Sequence, residues 1–461
     1  MQPNILYIFS DQHRFCDVGY AGNSDVETPH LDAMAARGAW FSASYSSCPL
    51  CVPARGTILS GMHPLRHGAA ANDLPIRTNI PSIATVLNEA GYETGYIGKW
   101  HLGGVPRNRF IHQEERLGFS FWNGCNCNHM YTNAYYDDNE NERHKIEGYE
   151  PAAQTDLAID YMNKHKGKPW ALWLGYGTPH DPYDDMPQEE LDYWYDKPLK
   201  MRPNVDTENM EFTYGPKPDI AKDYAGYYGH IRLLDQQIGR LLENLRKNGE
   251  LANTIIVYTS DHGDMLGSHG YLNKQLYFEE SAKVPLVISW QGHIPAGQRR
   301  QPISLVDHAS TLIGLIGANG LDYADGIDQS DVLLSKDAPG QEGVYLYSYV
   351  PCHQAFARTP GSWRAIVTEK VKYVTDQERQ AIALYDLEKD PYEMQNLLSI
   401  PDSAALKEQM EIMLDKQVMN HDGYKPWQDL LKEHDLWQSW EESESHFQKA
   451  WAHLAIESNE E

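Results

Sequence analysis

Cys51 stands two residues before Pro53 and four before Arg55, in the stretch from Ser47 to Gly61. Proline is tolerated in the first turn of a helix because its missing N–H would have no intrahelical partner there. The spacing therefore predicts a thiol mounted at a helix start, where unpaired N–H groups favour an anion. Arg55, one turn on, adds a planar fork suited to oxyanions. A cysteine viewed alone is as readily a small buried hydrophobe. Further ionisable groups arrive at the ends of apolar segments: Asp11 with Gln12, Lys99 with His101, His180, and Asp261 with His262. One aspartate after a strand is commonly a turn or cap. An apolar sheet, however, has no structural need for carboxylates, an ammonium and imidazoles along one edge. Asp11, Gln12, Asp261 and His262 offer donors for a hard divalent cation such as calcium or magnesium. Zinc is disfavoured, since no thiolate cluster accompanies them. Arg55, Lys99, His101, His180 and Lys274 make up a cationic side.

The motif Cys51-x-Pro53-x-Arg55, continued by Leu59 and Gly61 with Ser60 as a mild variant, resembles the signature of the type I, formylglycine-dependent sulfatases of the alkaline-phosphatase-like superfamily. The strings Gly95 to Gly103 and Asp261 to Gly270 with Lys274 are similar to that family too, as are the segment around Tyr227 to Gly239 and the ending Tyr385 to Leu397. The resemblance spans roughly residues 3–400 and is greatest to bacterial exo-acting carbohydrate sulfatases. It implies that Cys51 is converted to formylglycine by a formylglycine-generating or anaerobic sulfatase-maturating enzyme, and that the hydrated aldehyde is the nucleophile. It further implies one divalent cation, calcium expected and magnesium or manganese as alternatives, on Asp11, Gln12, Asp261, His262 and the side chain at 51. Gln12 departs from the aspartate of many members. By the same resemblance Arg55 fixes the nucleophile, Lys99 and Lys274 bind the sulfate group, His180 protonates the leaving alcohol and His101 takes the proton that releases sulfate. A phosphonate monoester or phosphodiester hydrolase of the same superfamily is the alternative enzyme. A noncatalytic sulfated-glycan-binding protein is the alternative of another class, and would be expected to have lost the nucleophile or a metal ligand. Phosphatases and mutases on related sheets would carry serine or threonine at the nucleophile.

Apolar runs 4–9, 92–98, 170–176, 254–259 and 283–290 predict buried strands, mostly parallel, whose carboxyl ends gather ligands. Further expectations are a strand over 40–47, helices over 28–38, 78–91, 156–164 and 306–316, and a long helix over 223–245 with an apolar stripe at helical spacing. The fold expected is α/β, a large mixed, mainly parallel sheet flanked by helices in a catalytic domain 1–340. A small antiparallel-sheet subdomain follows over 341–400, with a helical extension over 401–461 packing back on the body. Residues 118–149, rich in Asn, Tyr and Asp, lack periodicity and read as a long ordered loop on the surface. The segment 184–219 reads as an excursion on the active-site side. Arg107, His112, Trp122 and His129 are candidates for contacts to a sugar.

The chain has 461 residues, 41% of them apolar, enough for a large core. Its net charge of −26 leaves no excess of Lys and Arg for nucleic acid or an anionic membrane. The expected partner is a short or terminal sulfated saccharide. Six cysteines at irregular spacing are too few for a disulfide scaffold, and Cys125-x-Cys127 is a weak metal signal. No apolar run is long enough to cross a bilayer. The start of the chain lacks a basic-then-apolar leader, which is cytoplasmic as written, or periplasmic or secreted if a leader has been removed.

Overall fold

The computed structural model describes residues 2–210, 218–351 and 361–446. Sixteen strands are present among them: β1 (Asn4–Asp11), β2 (Ala39–Phe41), β3 (Ser44–Tyr45), β4 (Glu93–Lys99), β5 (Phe121–Cys125), β6 (Tyr135–Asp137), β7 (Arg143–Lys145), β8 (Trp170–Pro179), β9 (Thr254–Ser260), β10 (Leu286–Ser289), β11 (Gly297–Arg299), β12 (Ile303–Ser304), β13 (Gly343–Ser348), β14 (Trp363–Thr368), β15 (Val371–Asp376) and β16 (Ala381–Asp386). Ten of them form one sheet in the order β11-β2-β10-β9-β1-β8-β4-β5-β6-β7. Its centre, β9-β1-β8-β4-β5, is parallel, while β10, β6 and β7 run antiparallel to neighbours. β1 is buried at every position, as a strand covered on both faces must be.

Alternation along β1 sorts its side chains to two cores. Ile5, Tyr7 and Phe9 meet the helices Cys51–Ser60, Ile83–Glu89 and Asp307–Ile316 on one face. Leu6 and Ile8 meet the helices Pro29–Ala35, Glu150–Lys164 and Ile220–Asn248 on the other. The result is three layers, with the parallel strands ending along one rim. The small sheet β13-β14-β15-β16 is antiparallel throughout. One of its faces, including Val344, Leu346 and Trp363, packs on Met265, Leu276 and Ala282 of the body. The opposite face, including Tyr345, Tyr347 and Ile366, is covered by Met410, Leu414 and Val418 of the helix Ala404–His421 and by Leu430 and Leu431 of the helix Trp427–Glu433.

Four expectations need correction. The strand expected over 40–47 is two short ones, β2 and β3, in different sheets. The helix expected from Thr78 begins at Ile83, where the Ser82 hydroxyl and Thr85 close a capping box. The 118–149 region is not one loop but β5, β6 and β7, which widen the main sheet. β5 runs parallel beside β4 because Trp122 packs against Tyr96, Trp100 and Arg116, and this burial outweighs the weak polar patterning around it. The excursion 184–219 contains a helix, Gln188–Tyr195, anchored by buried Leu191 and Trp194; residues 211–217 lie outside the described part. Of the extension 401–461, residues 447–461 also lie outside it, as does Cys352.

Candidate active site

Cys51 opens the helix Cys51–Ser60, and Pro53 sits in its first turn. Leu50 contributes no side-chain cap; instead the Asn72 side chain accepts from the Val52 N–H at 3.2 Å. All ten residues of this helix are buried, the thiol included. Lys99 ends β4, and the turn that delivers it needs glycine at position 98. There φ is +102°, and a Cβ would lie 2.1 Å from the Gly175 carbonyl oxygen of β8.

Asp11 at the end of β1 and Asp261 just past β9 face each other, and Arg55 crosses both. Its Nε donates to Asp261 Oδ2 at 2.9 Å, Nη2 to Asp11 Oδ2 at 3.0 Å and Nη1 to the Lys99 carbonyl at 2.6 Å. The Lys99 ammonium lies 2.6 Å from Asp11 Oδ2. Cys51 Sγ is 3.1 Å from His262 Nε2 and 3.8 Å from Asp11 Oδ1, while His262 Nε2 is 3.7 Å from Oδ1 of each aspartate. Burial and the nearby Asp11 push the Asp261 carboxyl up. Burial works against ionising Asp11, yet Lys99, His180, Arg55 and His262 together hold it well below the usual carboxylate range. Asp11, Cys51, Asp261 and His262 keep one donor atom each within 4.8 Å of one another, all buried. Two carboxylates, one of them destabilised by the other, and an imidazole converging on a point are the donors a divalent cation requires. The cluster can hold a metal ion.

Lys274 Nζ donates to Gln12 Oε1 at 2.6 Å and to His180 Nε2 at 2.7 Å. His180 Nδ1 donates to the Asp181 carbonyl at 2.7 Å, which leaves Nε2 as the nitrogen on the cationic side. Gln12, with φ at +73°, is therefore tied to Lys274 through its oxygen and to Asp264 through its amide nitrogen. His129 Nε2 accepts from Lys99 at 2.9 Å, and its ring stacks on His180 at 4.3 Å between centroids. His101 completes the ring of groups. Burial disfavours its charge, but Cys127, Asp73 and Cys51 raise its imidazole to about 10. Asp73 Oδ1 lies 3.8 Å from His101 Nε2 and is clamped by Arg107 at 2.7 Å.

Of the residues expected at the site, Asp11, Gln12, Cys51, Arg55, Lys99, His101, His180, Asp261, His262 and Lys274 are brought together. Among the outer candidates, His129 is in the cluster and Arg107 stands one residue removed, through Asp73. Trp122 is a correction: it is 1% exposed in the core, where its indole is used for packing. His112 is another: it is exposed, with its ring beside Asn141 and its backbone N–H on Glu115 rather than on a group of the cluster. Sequence reasoning missed Asp73, Asp264 and Tyr183. Asp264 receives hydrogen bonds from both Gln12 and the Tyr183 hydroxyl. All three sit in irregular segments, where no periodicity marks them. Cys127 had a signal in its spacing two before His129, but a C-x-C directs attention to metal binding. Here Cys125 and Cys127 are both free thiols. Burial opposes ionisation of Cys127, but His101 and Lys99 bring its thiol down to about 6.

A three-layer α/β fold that collects a nucleophile position, a cation cluster and several fixed positive groups on its carboxyl rim defines a hydrolase of tetrahedral anionic esters. The sequence model described as Sulfatase matches residues 3–318, and that for the N-sulphoglucosamine sulphohydrolase C-terminal region matches residues 267–420. The chain is 32% identical to an ulvan-active sulfatase of Formosa agariphila over 424 residues, 90% of this chain and 81% of that one. It is 28% identical to an N-acetylglucosamine-6-O-sulfatase of Bacteroides thetaiotaomicron, over 89% of this chain and 85% of that one. The crystal structure of a putative sulfatase, yidJ, from Bacteroides fragilis superposes with a TM-score of 0.81 at 26% identity, covering 93% of this chain and 97% of that one. The chain belongs to the sulfatase family and is a sulfuric ester hydrolase. No helix among the described residues is long and apolar enough to cross a membrane.

Proposed function

We propose that the chain is an exo-acting carbohydrate sulfatase that removes O-sulfate from a terminal sugar, using Cys51 after its conversion to formylglycine. The observation that carries this is the placement of Cys51 Sγ against His262 Nε2 (3.1 Å) and Asp11 Oδ1 (3.8 Å), with Arg55 bridging Asp11 and Asp261. The names of the two curated relatives, an ulvan-active and an N-acetylglucosamine-6-O-sulfatase, support a saccharide. Asp11, Asp261, His262 and the side chain at 51, with Gln12 adjacent, would hold a divalent cation, calcium by the preference of oxygen donors, which would supply positive charge for ionising a hydroxyl and polarising the ester.

The remaining work belongs to the chain itself. Arg55 holds both aspartates in place. Lys99 and Lys274 approach from two sides and neutralise the sulfuryl oxygens, where charge fixed in advance contributes most. His180, its Nδ1 engaged by the Asp181 carbonyl, protonates the departing alcohol from Nε2 with the proton that the Lys274 ammonium donates to that nitrogen. His101 accepts the proton whose loss releases sulfate. That role needs the neutral imidazole, which conversion of Cys51 favours by removing one of the groups that hold His101 charged, while Asp73 behind it steadies the imidazolium that forms. Maturation requires a formylglycine-generating or anaerobic sulfatase-maturating enzyme.

The test is hydrolysis by protein whose peptide mass shows conversion of Cys51. Substrates are 4-nitrophenyl sulfate, phenyl phosphonate, N-acetylglucosamine 6-sulfate and ulvan oligosaccharides. Release of sulfate from a saccharide is expected, with phosphonate the poorer substrate. A marked preference for phosphonate, or activity that is indifferent to conversion of Cys51, overturns the proposal.

A further inference from the structure

A cavity of about 550 Å³ adjoins the catalytic cluster and shares Cys127 and His129 with it. Its volume lies in the range of small-molecule sites. The lining holds one acidic residue, Asp73, against two arginines, Arg107 and Arg143, and two histidines, His129 and His446. Two arginines against one carboxylate stand out in a chain of net charge −26.

Each arginine is held by a carboxylate beneath it. Arg107 Nε and Nη2 meet Asp73 at 2.7 and 2.8 Å, and Arg143 Nε and Nη2 meet Asp137 at 2.8 and 3.0 Å. In both pairs the guanidinium side chain is 34% exposed while the carboxylate is 4% or 2% exposed. The acids thus orient the guanidiniums toward the opening rather than filling it. Arg143 also lies flat on Tyr135, 3.9 Å from the ring centroid, which stiffens it further. Tyr135 lines the same cavity. Ser443 and His446, from the extension that the family motifs do not reach, complete the lining.

We propose that this cavity binds a second anionic group, a carboxylate or another sulfate, on the sugar carrying the ester or on its neighbour, so that the preferred substrate is a doubly charged saccharide. The inference rests on the sulfatase reading and deepens it. Arg143 and His446 are its specificity-determining residues, and neither touches the reacting atoms.

Titration calorimetry on the metal-loaded Cys51→Ala chain measures affinity without turnover, so its outcome is separate from whether the parent hydrolyses sulfate esters. The probes are N-acetylglucosamine 6-sulfate, D-glucosamine-2-N,6-O-disulfate and glucuronic acid 2-sulfate. The expected result is that at least one doubly charged sugar binds about tenfold more tightly than the first, and whichever gains most identifies the group. Arg143→Gln and His446→Ala, each in the same background, are expected to reduce that advantage severalfold. His446→Ala guards against a disturbed β6–β7 hairpin in the other variant. Equal affinities for all three sugars, or an advantage that survives both substitutions, overturns the inference.

Discussion

The rim cluster and the ion pairs beneath the small sheet are equally buried, yet only one of them is chemically poised. Lys372 is wholly buried and lies 2.8 Å from Glu279 and 2.7 Å from Glu393, while Lys283 meets Glu279 at 2.9 Å. Two ammoniums thus face two carboxylates, and the charges compensate. Arg364 and Asp422, both fully buried, join β14 to the end of the helix Ala404–His421 at 2.6 Å. At the rim, by contrast, the pairing is shared and uneven. Asp11 and Asp261 share the one Arg55 guanidinium, Lys99 meets Asp11 and also donates to His129, and Lys274 donates to the Gln12 amide oxygen and to His180. Burial with pairing therefore marks architecture. Burial with two carboxylates sharing one guanidinium, beside an ammonium held by neutral acceptors, marks a place built for a cation and an anion.

Substitutions break the comparison in opposite directions. Cys51→Ala is expected to lower kcat by a factor of about 10⁴ or more, as loss of a nucleophile does, while leaving the thermal midpoint near that of the parent. A melting curve beside a 4-nitrophenyl sulfate assay reads both. Arg364→Met leaves the buried Asp422 carboxylate without its cation, with only the Tyr345 hydroxyl donating to it, so it is expected to cost about 3 kcal/mol of stability in chemical denaturation. The kcat of its folded fraction should be unchanged; a large loss there would place the small sheet in the chemistry.

Lys99→Ala removes one fixed positive group facing the sulfuryl oxygens. A decrease in kcat/KM of about 10²–10³ is expected, against which a change of only twofold would demote Lys99 to an ion-pair partner of Asp11. The smallest effect concerns Glu150, which is buried at the start of the helix Glu150–Lys164 and raised by burial to about 8, against the pull of Lys99. A carboxyl that holds its proton more tightly in the fold contributes stability below about pH 4.5, lost as pH rises toward 8. Glu150→Gln has no such proton, so it is expected to gain on the order of 1–3 kcal/mol relative to the parent between pH 5 and pH 8. Denaturation midpoints at the two pH values measure it, and parallel curves would show that Glu150 is ionised in the fold.

The central strands were legible because β1, β8 and β9 are apolar nearly throughout, a pattern that only burial on both faces explains. The groups at their carboxyl ends could then be listed together, since strand ends of a parallel sheet share one rim. Residues 118–149 were not legible. β6 and β7 are three residues each, partly exposed and polar, and what makes them strands is pairing with β5 and with each other. Trp122 and His129 looked alike as sugar contacts, yet one is consumed by the core and the other touches Lys99.

By itself the sequence determined the three-layer core, the thiol at a helix start and the types of group around it, because apolar periodicity and local turn chemistry act over short stretches of chain. Only the tertiary structure decided that Asp73 stands behind His101, that Gln12 is tied to Lys274, and that Arg107, Arg143 and His446 line one cavity. Those neighbours lie tens to hundreds of positions apart, in irregular segments or on short edge strands, and contacts of that kind exist only once the sheets and the closing helices have packed.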